Sequence, residues 1–350
     1  MDKYTFYIDF EAISPPHFYK LNFSNPLNCL PFCYTIGYYD KDKHFNIRFK
    51  ILDFTKATIK NWAKYLKSDI AKHIYELIDK KIEINSDNVT FIGWNPVLEN
   101  SVTKYLFDIP TLPLINSGVI SLDSITQNSK YAKNEYFSYF KNLDFQDKYY
   151  ISAIDTNKNG LIASYIGFLL YCAAKRKYFK NDYIFKNCNL SYIVNELAQY
   201  NKDDVLKMDF IIRNYDVIHS KVSNIETLRK KITNFSAKIN QLKSFNTQIK
   251  KYISVSDKYM DDLTIKITIE KTNLINKIDN LKSVNNNFEV LKLKGEIKRI
   301  NKIQSLIYKY SLKYTTIKEY FAFCNNKIDQ LEKSKQQVKK QIDLILKGDK

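Results

Sequence analysis

All seven prolines lie at or before Pro113, and after Gly167 the only glycines are Gly295 and Gly348. Proline removes a backbone donor and glycine loosens a helix, so a long stretch without either has little to interrupt helical structure. The chain is therefore expected to pass from a punctuated α/β domain over residues 1–220 to an almost unbroken all-α region over 221–350.

In the first part, alternating aromatic and β-branched residues predict strands near 4–10, 32–39 and 45–52, forming a meander. A helix is expected from about Thr55 to Lys81, then a strand from Val89 to Trp94 that leads into a helix carrying Glu99. Val119–Leu122 is a further candidate strand, with Asp123 at its end as an auxiliary acid or, more commonly for such an Asp, a helix cap. Residues 128–150 are tyrosine-rich and poorly periodic and are expected to form a loop near substrate. The apolar run Gly160–Ala174 is shorter than the ~20 residues that cross a bilayer, contains Ser164 and two tyrosines, and predicts a core helix.

The second part has heptad spacing. Ile225, Leu228, Ile232, Phe235, Ile239, Leu242, Ile249 and Ile253 follow one 3-4 repeat, with Asn246 at one core position. A second run extends from Ile300 to Ile345, with Lys335 as its polar interruption, and both predict a coiled coil. Ser254–Asp262 and Asn285–Asn287 weaken the pattern and are expected to be turns. Of the formal charge of +18, residues 221–350 carry +15, from 28 Lys and Arg against 13 Asp and Glu, which is an electrostatic reason to meet a polyanion. Solvated flanks of a coiled coil would also account for many of those lysines.

Three separated segments carry acidic residues that belong together chemically. Asp9 and Glu11 are two apart on a strand, so both carboxylates leave the same face. Tyr200 and Asp204 are four apart on an expected helix, which sets phenol and carboxylate one turn apart on one surface. Glu99 follows Asn95 in GWNPVLEN. Hard divalent cations such as Mg²⁺ and Mn²⁺ take carboxylate oxygens, and two of them about 3.5–4 Å apart activate a water and stabilise the leaving oxygen of a phosphodiester.

The order of these motifs resembles the DEDD exonuclease superfamily, in its tyrosine-bearing branch, on a ribonuclease H-like fold. There the first strand supplies Asp-x-Glu, a second segment an Asn followed by an acid, and a late helix Tyr-x-x-x-Asp; here they are Asp9 and Glu11, Asn95 and Glu99, Tyr200 and Asp204. Within that superfamily the chain is most similar to a bacterial domain family of unknown function, through Asp9-Phe10-Glu11, Pro31-Phe32-Cys33-Tyr34, Trp94-Asn95-Pro96-Val97-Leu98-Glu99 and Tyr200-Asn201-Lys202-Asp203-Asp204. Asn159-Gly160-Leu161-Ile162-Ala163 resembles the opening of the helix before the third motif, and the resemblance covers roughly the first 215 residues. It implies a 3′-to-5′ exonuclease acting on DNA or RNA, in which Asp9, Glu11, Glu99 and Asp204 hold two Mg²⁺ or Mn²⁺ ions and Tyr200 positions the attacking water. Better characterised members have Asp where Glu99 stands, so this chain reaches the second motif with one more methylene. Asn95 is expected to be structural, and Asp203 is set apart from Asp204 because only the latter has a tyrosine four residues before it.

Cys29, Cys33, Cys172, Cys188 and Cys324 form no CxxC pair, and with four histidines no zinc cluster is expected. The first residues lack the basic and apolar runs of a secretory signal, so a cytoplasmic location without a membrane is expected. The coiled coil would serve a homo-oligomer, a partner protein or substrate guiding. The alternative to an enzyme is a nucleic-acid-binding or scaffold protein that keeps the fold without the catalysis.

Overall fold

Tyr4–Ile13 alternates cleanly: Phe6, Ile8 and Phe10 point to one side and Tyr7, Asp9 and Glu11 to the other. In the computed structural model, which describes residues 3–58, 60–116, 120–133, 135–143, 148–156, 158–176, 188–253, 258–282 and 287–347, this segment is strand β1. It is the central strand of a five-stranded sheet. On one side it pairs antiparallel with β2 (Leu30–Tyr39), which pairs antiparallel with β3 (Phe45–Ile51). On the other it pairs parallel with β4 (Val89–Gly93), and β4 pairs parallel with β5 (Thr111–Pro113). The first three strands are the expected meander; β5, at three residues, is too short for alternation to reveal.

The helix expected from Thr55 starts later, as α1 (Trp62–Ile78). Asp53 accepts hydrogen bonds from the backbone and hydroxyl of Thr55, and Asn61 accepts from the Thr58 N–H, so local side chains hold this stretch in turns instead of helix. The face of β1 that carries Phe6, Ile8 and Phe10 packs toward α1, where the Tyr34 hydroxyl meets His73 Nδ1 at 2.9 Å. Helix α2 (Val97–Phe107) follows β4 through Gly93, where a Cβ would stand 2.9 Å from Pro96 Cβ and 3.3 Å from the Ile8 carbonyl oxygen.

Residues 120–122, the described part of the strand expected at Val119–Leu122, are not a strand. Ser121 accepts from the Ser124 N–H and caps a short helix, α3 (Leu122–Ile125), so capping chemistry outweighs the β-branched pair; Val119 itself lies outside the described residues. The expected loop at 128–150 contains α4 (Ser138–Lys141) and the start of α5 (Lys148–Asp155). Helix α6 (Asn159–Ala174) is the expected core helix, with ten buried residues, and among the described residues no helix is long and apolar enough to cross a membrane. Its close approach to the sheet is at Gly167, where a Cβ would stand 2.3 Å from the Phe32 ring, and not at Gly160, which faces open space.

Helix α7 (Leu190–Arg213) carries Tyr200 and Asp204 and packs on the β1 face opposite α1. A single residue, Asn214, ends it, bonding back through its amide side chain to the Phe210 carbonyl at 2.8 Å, and α8 (Tyr215–Lys250) begins afresh.

The chain divides into two compact units, one of Met1–Asn224 with Leu346–Lys350 and one of Ile225–Ile345. In the second, α8, α9 (Met260–Lys282), α10 (Asn287–Ser311) and α11 (Ile317–Lys347) share a core that includes Ile249, Ile267, Ile303 and Tyr320. Of the heptad positions, Ile249, Ile300, Ile303, Ile307, Ile317 and Cys324 are buried together in this core, whereas Leu228, Ile232, Phe235 and Leu331 are only half-buried. Asn246, expected to interrupt a core position, accepts a hydrogen bond from the Tyr320 hydroxyl at 3.0 Å. The run from Ile300 to Ile345 is two helices, because Thr316 and Glu319 form a reciprocal cap that opens α11 at Ile317. The breaks expected at Ser254–Asp262 and Asn285–Asn287 fall between helices, with α9 opening at Met260 and α10 at Asn287; residues 254–257 and 283–286 lie outside the described ones.

Candidate metal centre

Residues β1 contributes to this face meet one stripe of α7: Asn201, Asp204 and Lys207, three residues apart in turn. Asn201, with no exposed surface, donates from Nδ2 to Asp9 Oδ2 at 2.6 Å and accepts at Oδ1 from the Thr35 hydroxyl at 2.6 Å. Thr35 is the direct cross-strand neighbour of Asp9, so one buried amide ties the acid, the sheet and the helix together. Asp9, Glu11 and Asp204 then each offer a carboxylate oxygen within 4.8 Å of the others.

Glu99 arrives from the first turn of α2 and is buried, with Oε1 accepting from the Phe10 N–H at 3.4 Å. It stands close enough for its charge to act on Asp9 and Glu11, yet it is not one of the three whose oxygens converge. Burial, then the charges of Asp204 and Glu99, hold the carboxyls of Asp9 and Glu11 well above the usual range; Glu11 adds to the effect on Asp9. Burial pushes Glu99 up to about 7 and Asp204 up to about 6, the latter against the opposing pull of Lys207.

Tyr200 is wedged between the rings of Tyr136 and Phe137, each with its centroid 5.1 Å away. Burial raises its phenol well above the ordinary value, and Asp204, Glu11 and Asp9 raise it further, so it is a neutral hydroxyl beside three carboxylates. The tyrosine-rich segment reaches the site in this way, and Glu196 of α7 secures it by accepting from the N–H groups of Tyr139 at 2.7 Å and Phe140 at 3.1 Å, at the start of α4.

Asp203 faces elsewhere, toward Tyr136, Gln199 and Lys133, as the spacing argument for Asp204 requires. Asn95 is structural: it sits at φ 36° and shares the Ile120 carbonyl with the Trp94 indole, each bond 3.0 Å long. The sequence reading missed Asn201, Thr35 and Lys207. Lys207 is fully buried, with Nζ 2.9 Å from Asp204 Oδ1 and also bonded to Asp123. Its position three residues after Asp204 on a helix was the available signal; its burial was not. Asp123 is therefore not the cap, which is Ser121, but the outer partner of that ammonium. Cys33, opposite Glu11 across the strands, is buried, and burial followed by Glu11 and Asp9 raises its thiol well up, so it remains a protonated neighbour. All five cysteines are free.

A divalent cation fits this donor set. Three oxygens from two elements, β1 and α7, converge, and a dication offsets both the burial and the mutual repulsion that disfavour their ionised forms. A second group, Asp40, Asp42 and His44, is exposed, and Asp40 there accepts hydrogen bonds from its own turn. Comparison with protein-family models, with curated proteins and with solved structures finds no significant match.

Proposed function

We propose that this chain is a metal-dependent nuclease that hydrolyses phosphodiester bonds in DNA or RNA, exonucleolytically from the 3′ end, on a ribonuclease H-like fold. The observation that carries this reading is the convergence of Asp9, Glu11 and Asp204, some 190 residues apart in sequence, on one oxygen-lined point with Glu99 beside it. Bound Mg²⁺ or Mn²⁺ supplies water activation and stabilisation of the leaving oxygen. Asn201 fixes the orientation of Asp9, Tyr200 offers a neutral hydroxyl to orient the attacking water, and the surface left on Asp9 and Asp204 gives the scissile phosphate access. The basic helical region, read as a coiled-coil-like arm, guides the polyanion or supports assembly with a second copy or a partner protein.

The test is cleavage of 3′-labelled and 5′-labelled single-stranded DNA and RNA by the purified full chain, with Mn²⁺ and with a chelator. Stepwise loss from the 3′ end with Mn²⁺ only is expected. Binding without any Mn²⁺-dependent product would replace the enzyme with the non-catalytic nucleic-acid-binding alternative.

Tyr200→Phe removes the hydroxyl and keeps the ring packing against Tyr136 and Phe137. Turnover is expected to fall by about 10²-fold, the scale of one positioned catalytic group, with Mn²⁺ affinity nearly unchanged. Full activity would make the phenol a packing residue.

Removing residues 225–350 removes most of the positive charge. A chain ending at Asn224 is expected to cleave short oligonucleotides but to bind long ones more weakly, with a shallower dependence of log affinity on log salt, because fewer counterions are released. Equal slopes for the two chains would assign the helical region to assembly.

A further inference from the structure

We propose that this centre holds a single divalent ion and that the buried ammonium of Lys207 supplies the second positive charge. The proposal rests on the metal-dependent reading above and revises the two-ion arrangement expected from the sequence.

Two of the three converging carboxylates, Asp9 and Asp204, are already held by one oxygen. Asp9 Oδ2 accepts from Asn201 at 2.6 Å, and Asn201 is locked in place by Thr35 with no exposed surface. Asp204 Oδ1 accepts from Lys207 at 2.9 Å. Glu99 Oε1 is turned toward the Phe10 N–H. A metal-binding carboxylate held in this way by a protein donor presents its other oxygen to the ion. Asp9 and Asp204 therefore have one oxygen each left to give, and with an oxygen from Glu11 they make half of an octahedral shell, with water and substrate for the rest.

A second ion about 3.5–4 Å from the first needs a carboxylate that bridges both. Bridging through Asp9 would mean giving up Asn201 and leaving a buried amide without its partner, and bridging through Asp204 would mean giving up Lys207. The latter is the greater obstacle. Lys207 is wholly enclosed, bonded to Asp123 as well as Asp204, with Nζ 5.0 Å from the centre of the Tyr136 ring. Withdrawing Asp204 leaves an ammonium out of water with one partner, and a dication on the same oxygen would sit against that positive charge. A lysine buried at this point is thus a fixed cation, positioned beside the acids where a second metal would otherwise neutralise them.

The experiment is Mn²⁺ titration of the full chain by calorimetry, read together with electron paramagnetic resonance. Ions that disappear in Asp9→Asn belong to this centre, which separates them from any bound at the exposed Asp40, Asp42 and His44. One such ion with an isolated Mn²⁺ spectrum is expected in the parent chain and in Lys207→Arg. Lys207→Met is expected to take up two and show an exchange-coupled pair. Two coupled ions in the parent chain would overturn the proposal and leave the metal-dependent reading standing; one ion in a folded Lys207→Met would overturn the role given to Lys207. No ion lost on Asp9→Asn would overturn both proposal and reading. Should Lys207→Met fail to fold, the count in the parent chain decides.

Discussion

Asp9→Ala is expected to abolish Mn²⁺-dependent cleavage, by more than about 10³-fold, beyond the 10–100-fold typical of losing an outer-shell partner. Asp204→Ala is expected to do the same, but the two should part company in the metal-free protein. Asp9 is a carboxylate opposed by its burial and by Asp204, Glu99 and Glu11, so removing it relieves repulsion, offset in part by the hydrogen bond lost to Asn201. Its metal-free thermal stability should stay level or rise. Asp204 is different because Lys207 depends on it. Taking it away leaves a fully buried ammonium with only Asp123, itself half exposed, and is expected to cost on the order of 1–3 kcal/mol. In both variants the stabilisation by Mn²⁺ should shrink. Thermal denaturation with and without Mn²⁺ checks the pair; cleavage surviving both substitutions would remove the metal centre from the mechanism.

The sequence made the acids on β1 and α7 legible because each pair obeys a local period: two residues apart on a strand, four apart on a helix. Strand positions were readable for the same reason, since Phe6, Ile8 and Phe10 alternate with Tyr7, Asp9 and Glu11. What holds the acids in place was not readable. Asn201 acts through Thr35, 166 residues away, and Lys207 through Asp123, 84 residues away, and no local period encodes such distances. Motif order groups Glu99 with the ligands, and the fold brings it near enough for its charge to act on Asp9 and Glu11 while the three converging oxygens come from Asp9, Glu11 and Asp204. In the helical unit the heptads predicted the burial of Ile249, Ile303, Ile307 and Cys324 but not their partners, because a 3-4 repeat is the same whether it meets another chain or another helix of its own. The helix expected from Thr55, the strand expected through Leu122 and the single run expected from Ile300 to Ile345 all differ where Asp, Asn, Ser or Thr side chains bond the backbone, a short-range competition that apolar periodicity ignores.

Metal-free protein is expected to lose stability as pH rises from about 5 to 8. Below about pH 4 the centre's carboxyls are protonated whether the chain is folded or not, and they contribute nothing. Between there and neutrality the unfolded chain ionises first, because burial raises Glu99 to about 7 and Asp204 to about 6 in the folded state and holds Asp9 and Glu11 well up as well. The folded form then binds more protons than the unfolded one, so stability falls with pH, and the penalty is complete once pH passes the raised folded values. For Glu99 alone it is on the order of 3 kcal/mol. Mn²⁺ should reverse the trend. The ion competes with those protons, so its affinity, and with it the stabilisation it confers, grows over the same interval. Tm measured from pH 5 to 8 should therefore decline in chelator and hold or climb in Mn²⁺, and Glu99→Gln should flatten the decline because the amide has no charge to bury. A level profile in chelator would show that these carboxylates ionise as freely as exposed ones, and that the cluster carries no stored repulsion for a cation to relieve.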